Sequence, residues 1–178
     1  MQSLEQPSPF LQRHLDATVI AADGRPVADL ACGRGRHALL AAKRGLVTIA
    51  LDRNRDFLSE LRSNNETLPI TCVECDLESS HGPPLRSASC GAVFVFRFLY
   101  RSLVPGIVDC LAPGGYLLYE TFTEHQLELE GGPKNPNFLL KTGELPKLFS
   151  SLEIVEYSEE LRAKPQQAVA TLLARQPL

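Results

Sequence analysis

Acids recur at the ends of successive apolar runs: Asp29 inside 27–31, Asp52 after 46–51 and Asp76 after 70–73. A carboxylate at the end of a strand can accept hydrogen bonds from both hydroxyls of a ribose. One placed beside a cation holds it by attraction. The first run leads into Ala31-Cys32-Gly33-Arg34-Gly35-Arg36-His37, a glycine loop that opens a segment of helical composition. Glycine at 33 and 35 lets the backbone turn tightly and come close to a ligand. Strand, loop and helix N-terminus together form a site for a polar, nucleotide-like molecule.

Two cofactors meet that description. Gly33-x-Gly35-x-x-Ala38 satisfies the loose dinucleotide fingerprint, and Asp52 follows at close to the expected interval of about 20 residues. Asp29, just upstream of the loop, separates the two. It repels a pyrophosphate and attracts the ammonium of an amino-acid moiety. Acids after three strands with no anion cradle fit S-adenosylmethionine, which carries a sulfonium and an ammonium. An NAD-dependent oxidoreductase is the rival on the same kind of sheet, and it needs a substrate domain for which 178 residues leave no room.

Asp29-x-Ala31-Cys32-Gly33-x-Gly35-Arg36, Asp52, Asp76-Leu77 and Leu111-Ala112-Pro113-Gly114-Gly115-Tyr116 follow one another in this order. As an ordered set they resemble the motifs of class I S-adenosylmethionine-dependent methyltransferases, with Ala31 where the usual first glycine stands. Alanine is expected to tolerate most of the same backbone space. The likeness is greatest to the small tellurite-resistance-like branch, which shares the Asp-x-x-Cys-Gly-x-Gly-Arg loop, a Gly143-Glu144-Leu145 helix start and an ending like Ala170-Thr171-Leu172-Leu173-Ala174-Arg175. The resemblance implies cofactor contacts from Asp29, Ala31, Cys32, Gly33, Gly35, Arg36, Asp52, Arg53, Asp76, Leu77 and Phe96. The branch's Glu-Leu-His-Arg element stands here as Glu159-Glu160-Leu161-Arg162. Its arginine is kept and its histidine is gone, which points away from tellurium oxyanions and toward another small anionic or soft nucleophile. A fold kept as a non-catalytic S-adenosylmethionine-binding or partner protein is the alternative.

Methyl transfer from a sulfonium is an in-line displacement, so the protein must chiefly align the reacting atoms. Ligands of open α/β sheets bind over the carboxyl ends of the strands. Arg97 and Tyr100 after the fourth strand, Thr121 at the end of the fifth, and Arg162 are therefore the candidate catalytic residues. Arg97 either binds an anionic acceptor or pairs with Glu120, while Arg101 reads as a solvated helix residue. His37 reads as a helix-surface residue.

The elements that position these residues alternate. Strands are expected at 27–31, 47–51, 70–73, 92–96 and 116–121, with helices at 35–44, 55–63 and 103–111, and a short one around 9–15. A long polar insert over 125–137 reads as a structureless lid. A short helix from Gly143 to about Phe149 and an antiparallel hairpin, 152–157 with 168–173, close the chain. The fold expected is a Rossmann-like three-layer αβα sandwich with a mostly parallel seven-stranded sheet. It forms one methyltransferase domain: helical segment 1–24, cofactor core 25–122, lid loop 123–141, and helix with hairpin 142–178.

Net charge is −3 and composition is average, so no nucleic-acid footprint is expected. No apolar run suits a bilayer and the first residues lack a signal-peptide pattern, which points to the cytoplasm. The partner expected is a small-molecule methyl acceptor; the oligomeric state stays open. Among the five cysteines, Cys72-x-x-Cys75 lies in a β-like run where residues three apart face opposite sides. These are read as small buried hydrophobes, and no metal site is expected.

Overall fold

The computed structural model describes residues 6–79 and 81–178, without the side chains of 19–21. The reading of the first residues as lacking a signal falls mostly on positions outside that range. Seven strands form one sheet in the order β3-β2-β1-β4-β5-β7-β6. They are β1 (Val27–Leu30), β2 (Thr48–Asp52), β3 (Ile70–Glu74), β4 (Cys90–Phe96), β5 (Leu111–Phe122), β6 (Glu153–Ala163) and β7 (Gln166–Arg175). The first five run parallel; β7 is antiparallel to both β5 and β6. This is the expected Rossmann-like sandwich.

Helices α1 (Pro9–Ala22), α2 (Arg36–Lys43) and α3 (Arg55–Ser63) cover one face. Phe10, Leu11 and Leu15 of α1 and Ala41 of α2 pack there with Phe94 and Leu118 of the sheet. Helices α4 (Val104–Cys110) and α5 (Glu144–Leu148) cover the other, with Ile107, Leu145 and Phe149 against Val93, Val95 and Leu117. Every residue of β4 is buried, as its almost wholly apolar sequence requires of a central strand. Full burial of Phe94, Leu118 and Phe149 contributes about 1.5–3 kcal/mol each.

Several boundaries differ from the sequence reading. α1 runs through to Ala22: Ser8 caps it, Pro9 opens it, and Asp23 ends it in the left-handed conformation. Leu111 leaves α4 and begins β5, because its backbone already pairs with Cys90. The register then jumps to Ala92 with Tyr116, so the Pro113-Gly114-Gly115 breaker becomes an irregularity inside the strand. The hairpin extends to Ala163 opposite Gln166, beyond its apolar stretches. The insert is not structureless. It holds 3-10 turns at Glu124–Glu128 and Pro136–Phe138.

Candidate active site

The loop after β1 is built on left-handed residues. Ala31 has φ +54°, Gly33 +56° and Gly35 +79°. Ala31 thus takes a left-handed conformation, the part of the glycine's backbone space that alanine does not share freely. Its conformation is the kind glycine adopts freely, and a side chain there is strained. Gly35 caps α2, and a Cβ on it would lie 2.5 Å from a methyl of Leu61. That glycine serves the packing of α2 on α3. A Cβ on Gly33 would meet no described atom beyond its chain neighbours within 4 Å, so this backbone leaves room for a ligand.

The three acids are held differently. Asp29 is 1% exposed beneath the loop, where its Oδ2 accepts the Ala38 N–H of the first turn of α2 at 2.9 Å. Burial pushes its pKa up to about 7 against that hydrogen bond and the charge of Arg36. Asp52 is part-exposed. Its Oδ2 accepts the Gly33 N–H at 2.7 Å and its Oδ1 the Asn54 N–H at 2.8 Å, which fixes the plane of the carboxylate while leaving acceptor capacity on both oxygens. Asp76 accepts the Glu78 N–H at 3.0 Å in a local turn.

Asp52, Asp76 and Ala31 line a cleft of about 110 Å³ together with Arg53, Leu77, Glu78, Cys75 and Phe98. Arg53 reaches Glu78 at 3.7 Å. Five of the residues expected at the cofactor thus converge here. Cys32 is buried in the small core between α2 and α3, beside Leu58 and Leu61, where burial and the nearby acids push its thiol pKa up. Phe96 lies under the His37 ring, with centroids 3.9 Å apart.

A second cleft, of about 260 Å³, adjoins the first and shares Glu78 and Phe98 with it. Its other walls are Arg97, Leu99, Thr121, Phe122, Pro133 and Phe138. Arg97 follows β4 with φ +57°, a strained backbone of the sort that gathers at functional sites. Its N–H donates to the Glu120 carbonyl at 2.8 Å. On its far side Arg97 also lines a wider cavity of about 590 Å³ with Arg36, Glu120, Arg162 and Lys164. There Arg162 forks onto the Glu120 carboxylate at 3.1 and 3.2 Å, and Ser8 Oγ donates to it at 2.7 Å. The buried carboxylate that sequence paired with Arg97 is thus gripped by Arg162. Tyr100 is half-buried against the main core and lines neither cleft.

His37 is 3% exposed, not on the helix surface, and its Nε2 accepts the Ser8 N–H at 3.2 Å. Burial, then the Arg36 and Arg97 charges, lower its pKa to about 3, so it is a neutral acceptor joining α2 to the start of α1. Arg101 is no solvated residue. It forks onto Glu144 at 2.6 and 2.9 Å and donates to the Asn137 and Leu139 carbonyls at 2.9 and 3.0 Å. Cys72 and Cys75 are free thiols, half-buried along β3 and just after it.

The family described as Methyltransferase domain matches residues 27–115, half of the chain, from β1 through the glycine pair of β5. The chain belongs to the methyltransferase-domain family. Solved structures that share its fold include S-adenosylmethionine-dependent methyltransferases. No curated protein matches it by sequence. Among solved structures it is similar to TehB from Haemophilus influenzae, at TM-score 0.73 and 19% identity over 99% of this chain and 63% of that one. The chain thus spans less than two thirds of TehB. Two further methyltransferases share the fold nearly end to end. One from Methanosarcina mazei has TM-score 0.72 and 14% identity, covering 98% of this chain and 100% of that one. One from Mesorhizobium loti has TM-score 0.73 and 17% identity, covering 95% and 99%.

The chemistry of the residues present suits that cofactor, and the cleft of about 110 Å³ spans only part of so large a molecule. The Asp52 carboxylate is oriented at the cleft, the Gly33 backbone is open, and the donor set is acidic, as a cationic amino-acid nucleotide requires. Sequence reasoning missed Cys75, Glu78, Phe98, Leu99, Phe122 and Phe138 as lining residues. Phe98 and Leu99 stand inside the aromatic stretch that carried Arg97, so a signal existed. Phe138 carried none, because a turn across a polar insert brings it back over the sheet.

Proposed function

We propose that this methyltransferase acts on a small-molecule acceptor, anionic or a soft nucleophile, bound in the cleft of Arg97, Thr121 and Phe138. The observation that carries the reading is that the two clefts share Glu78 and Phe98 over the carboxyl ends of the strands. When bound, S-adenosylmethionine supplies an electrophilic methyl group on its sulfonium. Asp52, locked by two backbone donors, addresses the ribose hydroxyls. Asp76 and Leu77 take the adenine side, and the buried Asp29 contributes negative potential beneath the loop toward the ammonium. Arg97 holds the acceptor's oxyanion or carboxylate. Pro133 and Phe138 of the insert cover it and exclude water. His37 serves as no general base, since its Nε2 is already taken by Ser8. A nucleophile that arrives ionised needs none.

Isothermal titration tests the cofactor side. Asp52→Ala is expected to weaken S-adenosylmethionine binding by about 1.5–3 kcal/mol, the loss of hydrogen bonds to a charged acceptor. Unchanged affinity refutes the placement. Arg97→Ala is expected to abolish acceptor turnover while cofactor affinity stays within about 1 kcal/mol. Loss of cofactor binding in that variant would assign Arg97 a structural role instead.

A further inference from the structure

We infer that the acceptor carries an apolar body of about one ring, held between Phe98, Phe122, Phe138 and Pro133, and is an organic molecule and not an inorganic oxyanion. The inference rests on the proposed acceptor cleft and names what fills it. Its walls are predominantly aromatic and aliphatic, with Arg97, Thr121 and Glu78 as the polar groups. A hydrated oxyanion that enters such walls loses water without regaining hydrogen bonds on the apolar sides, whereas a ring loses nothing it needs. Size agrees: the cleft is about 260 Å³, and a cavity on the order of 150 Å³ already holds benzene.

Phe138 is the deciding residue. It is 46% exposed at the edge of the cleft. It is also fixed. Arg101 binds the carbonyls on either side of it, those of Asn137 and Leu139, and Leu140 N–H donates to the Phe122 carbonyl at 2.9 Å. The insert behind it is pinned as well: the Gln126 side chain takes the Ala168 N–H at 2.9 Å and donates to the Gly131 carbonyl at 3.2 Å. The ring is therefore a built wall whose outer half stays wet until an apolar partner covers it. Association of a flat ring with such a phenyl wall gains area burial and aromatic contact together.

The test uses the whole protein saturated with S-adenosylhomocysteine, whose own titration first checks the methyltransferase reading. A panel of monocyclic and bicyclic aromatic acids, with selenite and phosphate beside them, is then titrated calorimetrically. At least one ring compound is expected to bind and neither inorganic anion to do so. Phe138→Ala is expected to weaken that ring compound about tenfold and Phe138→Trp to restore it, with S-adenosylhomocysteine affinity unchanged in both. Binding of selenite or phosphate in this cleft, no binding by any ring compound, or indifference to Phe138→Ala overturns the inference. Failure of S-adenosylhomocysteine itself to bind would overturn the cofactor reading instead.

Discussion

Ala31 holds a left-handed backbone at the turn out of β1, where an L-residue with a Cβ is strained by roughly 1–2 kcal/mol. Replacing it with glycine removes that strain and returns about 0.4–1 kcal/mol as unfolded-chain entropy. Ala31→Gly is therefore expected to stabilise the protein by about 0.5–1 kcal/mol in urea denaturation, and Ala31→Val to destabilise it by more than 1 kcal/mol. A destabilising glycine would show that the alanine methyl is needed for packing at the cleft. The acids Asp52 and Asp76 were legible beforehand, because a carboxylate after an apolar run has one obvious place on a parallel sheet. The strain at Ala31 was not. Residue type reports what a backbone prefers, and here the loop overrules the preference.

The elements around the proposed acceptor cleft are joined by one arginine. Arg101, in the 3-10 turn before α4, ties α5 through Glu144 and the insert through two carbonyls. The hydrogen bonds that it donates hold the Glu144 carboxyl below the usual range, against the effect of burial. A depressed acid contributes stability above its unfolded value, and the contribution is lost as pH falls through the folded value. The pair is partly exposed, so solvent screening discounts it. Arg101→Ala is expected to cost about 1–2 kcal/mol and to raise the acceptor KM. Hydrogen exchange will locate the effect: faster exchange at Leu139 and Leu140 with β1 and β4 unchanged is expected, and uniform loosening would contradict a local clasp. None of this could be read along the chain, since Arg101 and Glu144 meet only once β4 and α5 are folded onto each other. The parallel strands were legible from apolar runs alternating with helical stretches. The far end of the hairpin was hidden, because Ser158-Glu159-Glu160-Leu161-Arg162 is a polar edge strand held by its pairing with β7.

At the scale of the molecule, two buried titratable groups, Asp29 in β1 and His37 in α2, set opposing pH dependences. His37 falls from its ordinary 6.5 to about 3, and Asp29 rises from 3.8 to about 7. Between about pH 4 and 6.5 the unfolded chain binds a proton at the histidine that the folded protein does not, so stability rises with pH. Over the same window the folded protein binds a proton at Asp29 that the unfolded chain lacks, so stability falls with pH. Each slope approaches about 1.4 kcal/mol per pH unit, and the two cancel. His37→Phe keeps a ring on Phe96 and removes one slope. Relative to the parent protein its stability is expected to decline as pH rises across the window. Asp29→Asn is expected to give the opposite tilt, and the double variant to run parallel to the parent. Urea denaturation at a series of pH values from 4.5 to 6.5 reads these differences, which lie inside the window that the two shifts define. A flat difference for His37→Phe would mean that the imidazole is charged in the folded protein, and Ser8 could then not be donating to it. The cofactor acts on the same balance. In the proposed cofactor placement an ammonium above Asp29 favours its ionised form, so S-adenosylmethionine affinity is expected to weaken below about pH 7 in the parent and to lose that dependence in Asp29→Asn.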